Sequence, residues 1–225
     1  MRQLAIWPHE PLQLGYGFNQ LIFENISDFF QLTQFFQGVE ANVTISEAGK
    51  PKTLKEVCYI GDVTTLVDFR KLYDKQIQVA VQNMIDDLSL QQLMTADLAI
   101  KMVVDDVIMA NNLPVQYSDK FDLTAILKYC EFHAEMPETK GICGIIEHVI
   151  DLANRLSDDR LIVFSNLNLY LSTEEIQMLA FEASVKQVSC LLIDVTKSPT
   201  LIESEGLKQY YFDRDFIEFT SDDVR

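Results

Sequence analysis

For roughly a hundred residues after Asp62 the apolar residues recur with helical spacing, whereas the chain on either side alternates or runs apolar as strands do. Any sheet this chain forms must therefore be assembled from its two ends, around a helical insertion. Leu66, Phe69, Tyr73, Ile77, Ala80 and Met84 line one face of a first long helix. Ile100, Val103, Val104 and Val107 recur at i, i+3, i+4 and i+7 in a second, and the two together read as an antiparallel pair. Asp105 and Asp106 lie off that stripe, on a face expected to be solvated. A break at Asn111-Asn112-Leu113-Pro114 leads to a short helix around Leu123 to Tyr129. A last helix follows Pro137, with Ile142, Ile145, Ile146, Val149, Ala153 and Leu156 expected to face inward. The expected division is a discontinuous head, 1–62 and 159–225, and a helical leg, 63–158.

Strand signals in the head are short and separated by turns. Leu4 to Trp7, Leu12 to Leu14 and Gln20 to Phe23 come first, followed by a helix that Ser27 or Asp28 caps and Gly38 ends. Phe29, Phe30, Leu32, Phe35 and Phe36 give that helix a broad apolar stripe, read as core. Asn42 to Ser46 alternates, Ala48-Gly49-Lys50-Pro51 is a turn, and Val57 to Ile60 is a compact strand. After Arg160, Leu161-Ile162-Val163-Phe164 is continuously apolar, as in a strand covered on both faces. Ser172-Thr173-Glu174-Glu175 matches a capping box. With Val188 to Val195 beyond it, this stretch is a βαβ unit with a right-handed crossover. Tyr210 to Phe212 and Phe216 to Phe219 are expected as edge strands.

Composition narrows the function classes. The chain has 225 residues with 48% hydrophobic content, enough for a packed core. Met1 to Glu10 contains no apolar signal region and no later run is long enough to span a bilayer, so a cytoplasmic protein with no membrane partner is expected. Cys58, Cys130, Cys143 and Cys190 lack metal-ligand spacing and read as reduced core residues. Thirty-four acids against eighteen bases give a net charge of −16, which taken alone opposes a nucleic-acid partner.

Catalytic motifs are missing. The one Gly-Lys pair, Gly49-Lys50, is followed by Pro51 where a phosphate loop needs Ser or Thr, and Thr44 holds the place of its first glycine. Neither GxGxxG, GxSxG nor HExxH occurs, and His133-Ala134-Glu135, though it reads HxE, has no PCxxC to complete a deaminase site; His9 and His148 have no partner spacing. The fold class expected is α/β: a mixed-sheet head with a βαβ unit, P-loop-NTPase-like but lacking the phosphate loop, interrupted by the helical leg.

Four segments, in this order and spacing, carry a family resemblance: Glu10-Pro11-Leu12-Gln13-Leu14; Val57-Cys58-Tyr59-Ile60-Gly61-Asp62; Arg160-Leu161-Ile162-Val163-Phe164-Ser165-Asn166; and Tyr170-Leu171-Ser172-Thr173-Glu174-Glu175-Ile176 leading to Leu191-Leu192-Ile193-Asp194. The chain resembles the CRISPR-associated accessory proteins of spacer acquisition from subtype II-A loci. That resemblance implies a homotetrameric ring that holds double-stranded DNA ends without hydrolysing ATP or cutting DNA. It also implies partners, the CRISPR integrase proteins and the RNA-guided effector nuclease, and calcium in support of the ring.

An acidic chain can bind DNA if its bases are gathered locally, because screening at physiological salt acts over roughly 8 Å. Lys50, Lys52 and Lys55 form the densest basic cluster outside the helices, and Arg155 and Arg160 flank the return into the head. They are the candidate DNA contacts; the alternative is plain solvated surface. By resemblance, calcium belongs in the connection after the second leg helix, where Asp119 and Asp122 are the candidate ligands, though Pro114 and Lys120 stand where the family favours acids. Asp122 equally suits a helix N-cap. Two other function classes stay open: a degenerate nucleotide-binding or metal-dependent nuclease domain using strand-end acids such as Asp62 and Asp194, and an acidic protein-interaction scaffold.

Overall fold

The strand Gly17–Phe23 is buried along its whole length, and both of its neighbours come from the far end of the chain. The computed structural model describes residues 2–39, 42–65, 67–138, 141–196, 201–213 and 218–220. Leu66 and Phe216, assigned above to a helix face and a strand, lie outside the described residues. The strands are β1 (Arg2–Ile6), β2 (Leu12–Leu14), β3 (Gly17–Phe23), β4 (Val43–Glu47), β5 (Lys50–Pro51), β6 (Val57–Gly61), β7 (Leu161–Ser165), β8 (Ser189–Val195), β9 (Leu207–Phe212) and β10 (Glu218–Thr220). The helices are α1 (Ile26–Phe36), α2 (Phe69–Met84), α3 (Asp87–Ala110), α4 (Leu123–Tyr129), α5 (Ile142–Arg155) and α6 (Thr173–Val185).

The larger sheet has the order β10-β9-β3-β8-β7-β6 and is parallel except at β10, while β2-β1-β4-β5 form a smaller antiparallel sheet. The mixed α/β class is as expected, and β7-α6-β8 is the βαβ unit. β9 is not an edge strand: it lies between β3 and β10, and Tyr210 and Phe212 are buried because both sides of the strand are paired.

Period-two alternation assigns the two faces of the large sheet. Leu21, Phe23, Leu161, Val163, Leu191, Ile193, Tyr210 and Phe212 join Leu4, Leu12, Leu14 and Ile45 of the small sheet in one core with Leu32 and Phe36 of α1. Phe29 and Phe35 pack against this cluster, but Phe30 is 59% exposed, so the aromatic stripe is narrower than its sequence suggests. The N-cap of α1 is Asn25, whose side chain accepts from the Ser27 N–H, and Gly38 ends the helix at φ +93. Ala48 and Gly49 form the two-residue loop of the β4–β5 hairpin, both at positive φ, so Lys50 and Pro51 are strand rather than turn. On the other face, α6 packs on β3 and β8, and α5 packs on α6. The expected capping box is present, with Ser172 accepting from Glu175 N–H and Glu175 reaching back to the Ser172 N–H.

The chain forms two compact units, Met1–Val67 with Met136–Arg225, and Asp68–Glu135. These boundaries differ from 62/63 and 158/159 chiefly because α5 goes with the first unit, where Ile146, Val149, Ile150 and Ala153 are buried. In the second unit α2 buries only Phe69 and Tyr73, and α3 buries no residue at all. Met84, Ile100, Val103, Val104 and Val107, read as an inward stripe, are exposed. The residues of α3 that are half-covered instead include Asp97, Lys101 and Asp105; of the two aspartates expected to be solvated, Asp106 is exposed and Asp105 is partly shielded. All four cysteines are free, but only Cys58 and Cys190 are core residues; Cys130, just beyond α4, is exposed.

Where β3 begins, two glycines let three backbones meet. Gly17 and Gly206 have φ of +92 and +77; a Cβ on Gly17 would stand 2.1 Å from the Gly206 carbonyl oxygen, and one on Gly206 2.5 Å from the Ala180 carbonyl oxygen in α6. The approach is held by the Phe18 N–H donating to the Gly206 carbonyl at 2.7 Å. Gly17→Ala and Gly206→Ala are each expected to cost about 2–5 kcal/mol in urea unfolding, from left-handed strain plus overpacking. Gly49→Ala, at φ +75 but facing open space, is expected to cost about 1–2 kcal/mol. Equal losses at the three positions would contradict the steric account.

Candidate functional site

The five candidate DNA contacts divide by charge pairing. Lys52 bridges two carboxylates, Glu56 at 2.8 Å and Glu47 at 3.0 Å. Its hydrogen bonds to Glu56 and then Glu47 raise its pKa, and the Lys52 hydrogen bond holds each of those acids below its usual range. Arg160 is gripped by Asp158: Nε donates to both carboxylate oxygens at 2.9 and 3.0 Å, and Nη2 to Oδ2 at 2.7 Å. Both cations are thus neutralised from within. Lys50 on β5, Lys55 in the 3-10 turn Leu54–Glu56 and Arg155 at the end of α5 are exposed, and no ion pair reaches them among the described residues.

Sequence reasoning set aside the bases inside helices. In the second unit Arg70, Lys71 and Lys75 of α2 are exposed and likewise without ion pairs among the described residues. Lys71 and Lys75 stand one turn apart and so share a helix face. Three basic residues within six positions were the signal available.

Arg160 also lines a cleft of about 640 Å³ at the N-terminal end of the parallel strands, with Arg2, Glu47, Asp158, Asp159 and Lys186. Each base there has an internal partner: Arg2 donates to the Asp159 carbonyl and lies 3.7 Å from Glu47, while Lys186 contacts Asp151 and Glu182. The cleft offers alternating charge and no uncompensated cation for a phosphate.

The opposite, C-terminal end of the strands is where α/β folds place ligands. Here it holds the two acids that an enzyme would use. Asp194 is fully buried in β8 and terminates a one-way relay: Ile202 N–H donates to Gln209 Oε1, Gln209 Nε2 to Gln20 Oε1, and Gln20 Nε2 to Asp194 Oδ2, each at 2.7 Å. The backbone donor at one end sets the direction of both amides, so Asp194 must accept at the other. Its Oδ1 accepts from the Asn168 N–H at 3.3 Å. Burial pushes the carboxyl up to about 6, and the hydrogen bonds from Gln20 and from the Asn168 and Leu167 backbone oppose that rise. Asp62, just after β6, accepts from the Thr64 hydroxyl and N–H and from the Tyr170 hydroxyl at 3.0 Å. Burial raises its pKa, but these bonds and one from Asn166 outweigh burial and hold it below the ordinary value. Both carboxylates are engaged by protein donors, as structural caps are.

Asp119 and Asp122 are exposed, and the structure gives them separate tasks. Asp122 is the N-cap of α4, accepting from the Ala125 N–H at 3.1 Å. At Asp119 the polar contact is through the backbone: Lys101 Nζ donates to the Asp119 carbonyl at 3.3 Å and to the Lys120 carbonyl at 2.8 Å. Calcium needs six to eight oxygens, commonly including backbone carbonyls. With one carboxylate capping a helix and an ammonium on two of the carbonyls, these residues do not fit a calcium site. His133 meets Asp74 across 59 positions at 2.7 Å.

The fold and its sites define a class: an α/β protein with a helical insertion, internally saturated strand-end acids and a scatter of exposed unpaired bases. The family model "CRISPR-associated protein (Cas_Csn2)" matches residues 34–216, and the chain belongs to that CRISPR-associated family. Among solved structures it is similar to Stu0660 of Streptococcus thermophilus, at 14% identity and a TM-score of 0.56, over 93% of this chain and 74% of that one. At that identity the likeness concerns the fold. No curated protein matches.

Because the folded pKa of Asp194 stands above its unfolded value, the sign of its pH linkage is set. Its stabilising contribution is complete below about pH 4 and is lost as pH rises through about 6. From pH 5 to 7.5 the wild type should therefore lose about 1–2 kcal/mol relative to Asp194→Asn in urea unfolding. A difference that is flat, or of opposite sign, across that interval would count against the assignment.

Proposed function

We propose that this CRISPR-associated protein is a non-enzymatic binder of double-stranded DNA ends, assembled as a homotetrameric ring and accessory to spacer acquisition. Its expected partners are the CRISPR integrase proteins and the RNA-guided effector nuclease. The observation that carries the reading is family membership over residues 34–216. Three features of the chain support it. Lys50, Lys55 and Arg155, with Lys71 and Lys75, supply exposed positive charge with no ion-pair partner among the described residues. Asp62 and Asp194 are engaged in protein hydrogen bonds, which disfavours them as the strand-end ligands of a nuclease. The 24-residue α3 buries nothing while Val103 and Val107 are 64% and 54% exposed, as an apolar face covered by another subunit would be in a single chain.

Each phosphate contact contributes about −0.9 to the slope of log K against log salt. Reversing Lys50, Lys55 and Arg155 together should reduce the magnitude of that slope by about 3 for each subunit that contacts the duplex and weaken binding to linear duplex at least about a hundredfold. Lys52→Gln should leave the slope unchanged, since that ammonium is already neutralised. An unchanged slope in the triple variant would sink the assignment. Covalently closed duplex of the same sequence separates the readings: retention of linear DNA alone supports a threaded ring, cleavage supports an enzyme, and no retention at low salt supports a scaffold.

Assembly has its own test in light scattering. Val103→Glu with Val107→Glu should yield monomers or dimers while leaving the melting temperature of the first unit in place, because both side chains are more than half exposed and belong to the second unit. A tetramer that survives both substitutions would remove α3 from the interface.

A further inference from the structure

The connection from α3 to α4, residues 113–122, has no regular secondary structure and is laid against the polar face of α3. Asp97, Lys101 and Asp105 stand one helical turn apart on that face. Two of them hold the connection. The neighbouring Asp105 carboxylate, acting as hydrogen-bond acceptor, raises the Tyr117 pKa. Lys101 Nζ reaches three oxygens: Asp97 Oδ2 at 2.7 Å, the Lys120 carbonyl at 2.8 Å and the Asp119 carbonyl at 3.3 Å. An ammonium has three N–H donors and no acceptor, so this set uses its full capacity. The site is partly shielded, with Lys101 and Asp97 side chains 22% and 20% exposed.

Two carbonyls and a carboxylate converging on one positive centre are the ligand types a hard divalent cation takes. Here a covalently attached monovalent cation takes them. We propose that Lys101 is the resident counter-ion of this connection, and that its order depends on that ammonium and not on calcium at Asp119 and Asp122. A calcium ion bound there would have to displace the ammonium, and Lys101 would then lie beside it as a like charge. The inference stands apart from the DNA-binding reading, because it concerns the chain without DNA.

Amide hydrogen exchange over residues 113–122 tests it on the full-length protein. In the wild type, exchange and melting temperature are expected to be the same in chelator and in calcium at about 10⁻³ M, the weak end of protein calcium sites. Lys101→Met keeps the aliphatic stem and should speed exchange in this segment about tenfold, the loss of one charge-assisted hydrogen bond. Exchange in α5 and α6 should not change. Calcium-dependent slowing in the wild type would overturn the proposal even if the variant failed to fold. So would an unchanged exchange rate in a folded Lys101→Met protein.

Discussion

The parallel pairing of β3 with both β8 and β9 is the constraint on which the rest of this molecule depends. It joins residues 17–23 to residues 189–195 and 207–212, so the β6-β7-β8 and β9-β10 parts of the large sheet are united only when nearly the whole chain is present. Because helices cover one face and the small sheet and α1 the other, every residue of β3 and β7 is buried. That burial explains the continuous apolar runs of Leu161 to Phe164 and Leu191 to Ile193. It also explains why three of the polar residues inside the sheet, Gln20, Gln209 and Asp194, are bonded to one another: buried side by side, each needs the partner the next supplies. The glycines at 17 and 206 belong to the same constraint, since the start of β3 must pass within hydrogen-bond distance of the loop entering β9.

What was legible in the sequence is what local physics determines. The β7-α6-β8 unit, the Ser172 to Glu175 capping box, the Gly38 stop and the position of the insertion all follow from spacing and backbone preference. What was not legible depends on partners distant in sequence. Periodicity located the stripe of Ile100, Val103, Val104 and Val107 but could not say what covers it, because amphipathicity specifies that two faces differ and not which neighbour each will meet. β9 looked like an edge for the same reason: its second partner, β3, lies far back in the chain. Phe30 was grouped with the core because its neighbours in the helix are aromatic, yet its angle on α1 carries it outward.

The candidate interface was half legible. Counting bases found Lys50, Lys52, Lys55, Arg155 and Arg160, but a count cannot separate a cation free to meet a phosphate from one already held. Lys52 and Arg160 are held by near neighbours in sequence, Glu56 and Asp158, and those short spacings could have been weighed. Such pairs have a second consequence in an acidic chain. With −16 overall, acids outnumber bases, so any base near an acid tends to be neutralised internally, and the few that escape set where a polyanion can approach.

Lys101 follows the same logic in the opposite sense. Among many acids, the 113–122 connection lies over Asp97 and Asp105, and its own carbonyls and carboxylates add further negative potential. Folding it there requires a positive centre. A divalent ion can supply one at the expense of dependence on its concentration, whereas a lysine on α3 supplies it at an effectively fixed local concentration. The position of Lys101, one turn from Asp97 and one from Asp105, places that charge where the connection's carbonyls converge. The departure of Pro114 and Lys120 from an acid-rich pattern then has a physical account: once the cation is part of the chain, additional carboxylates in the connection would only raise its repulsion.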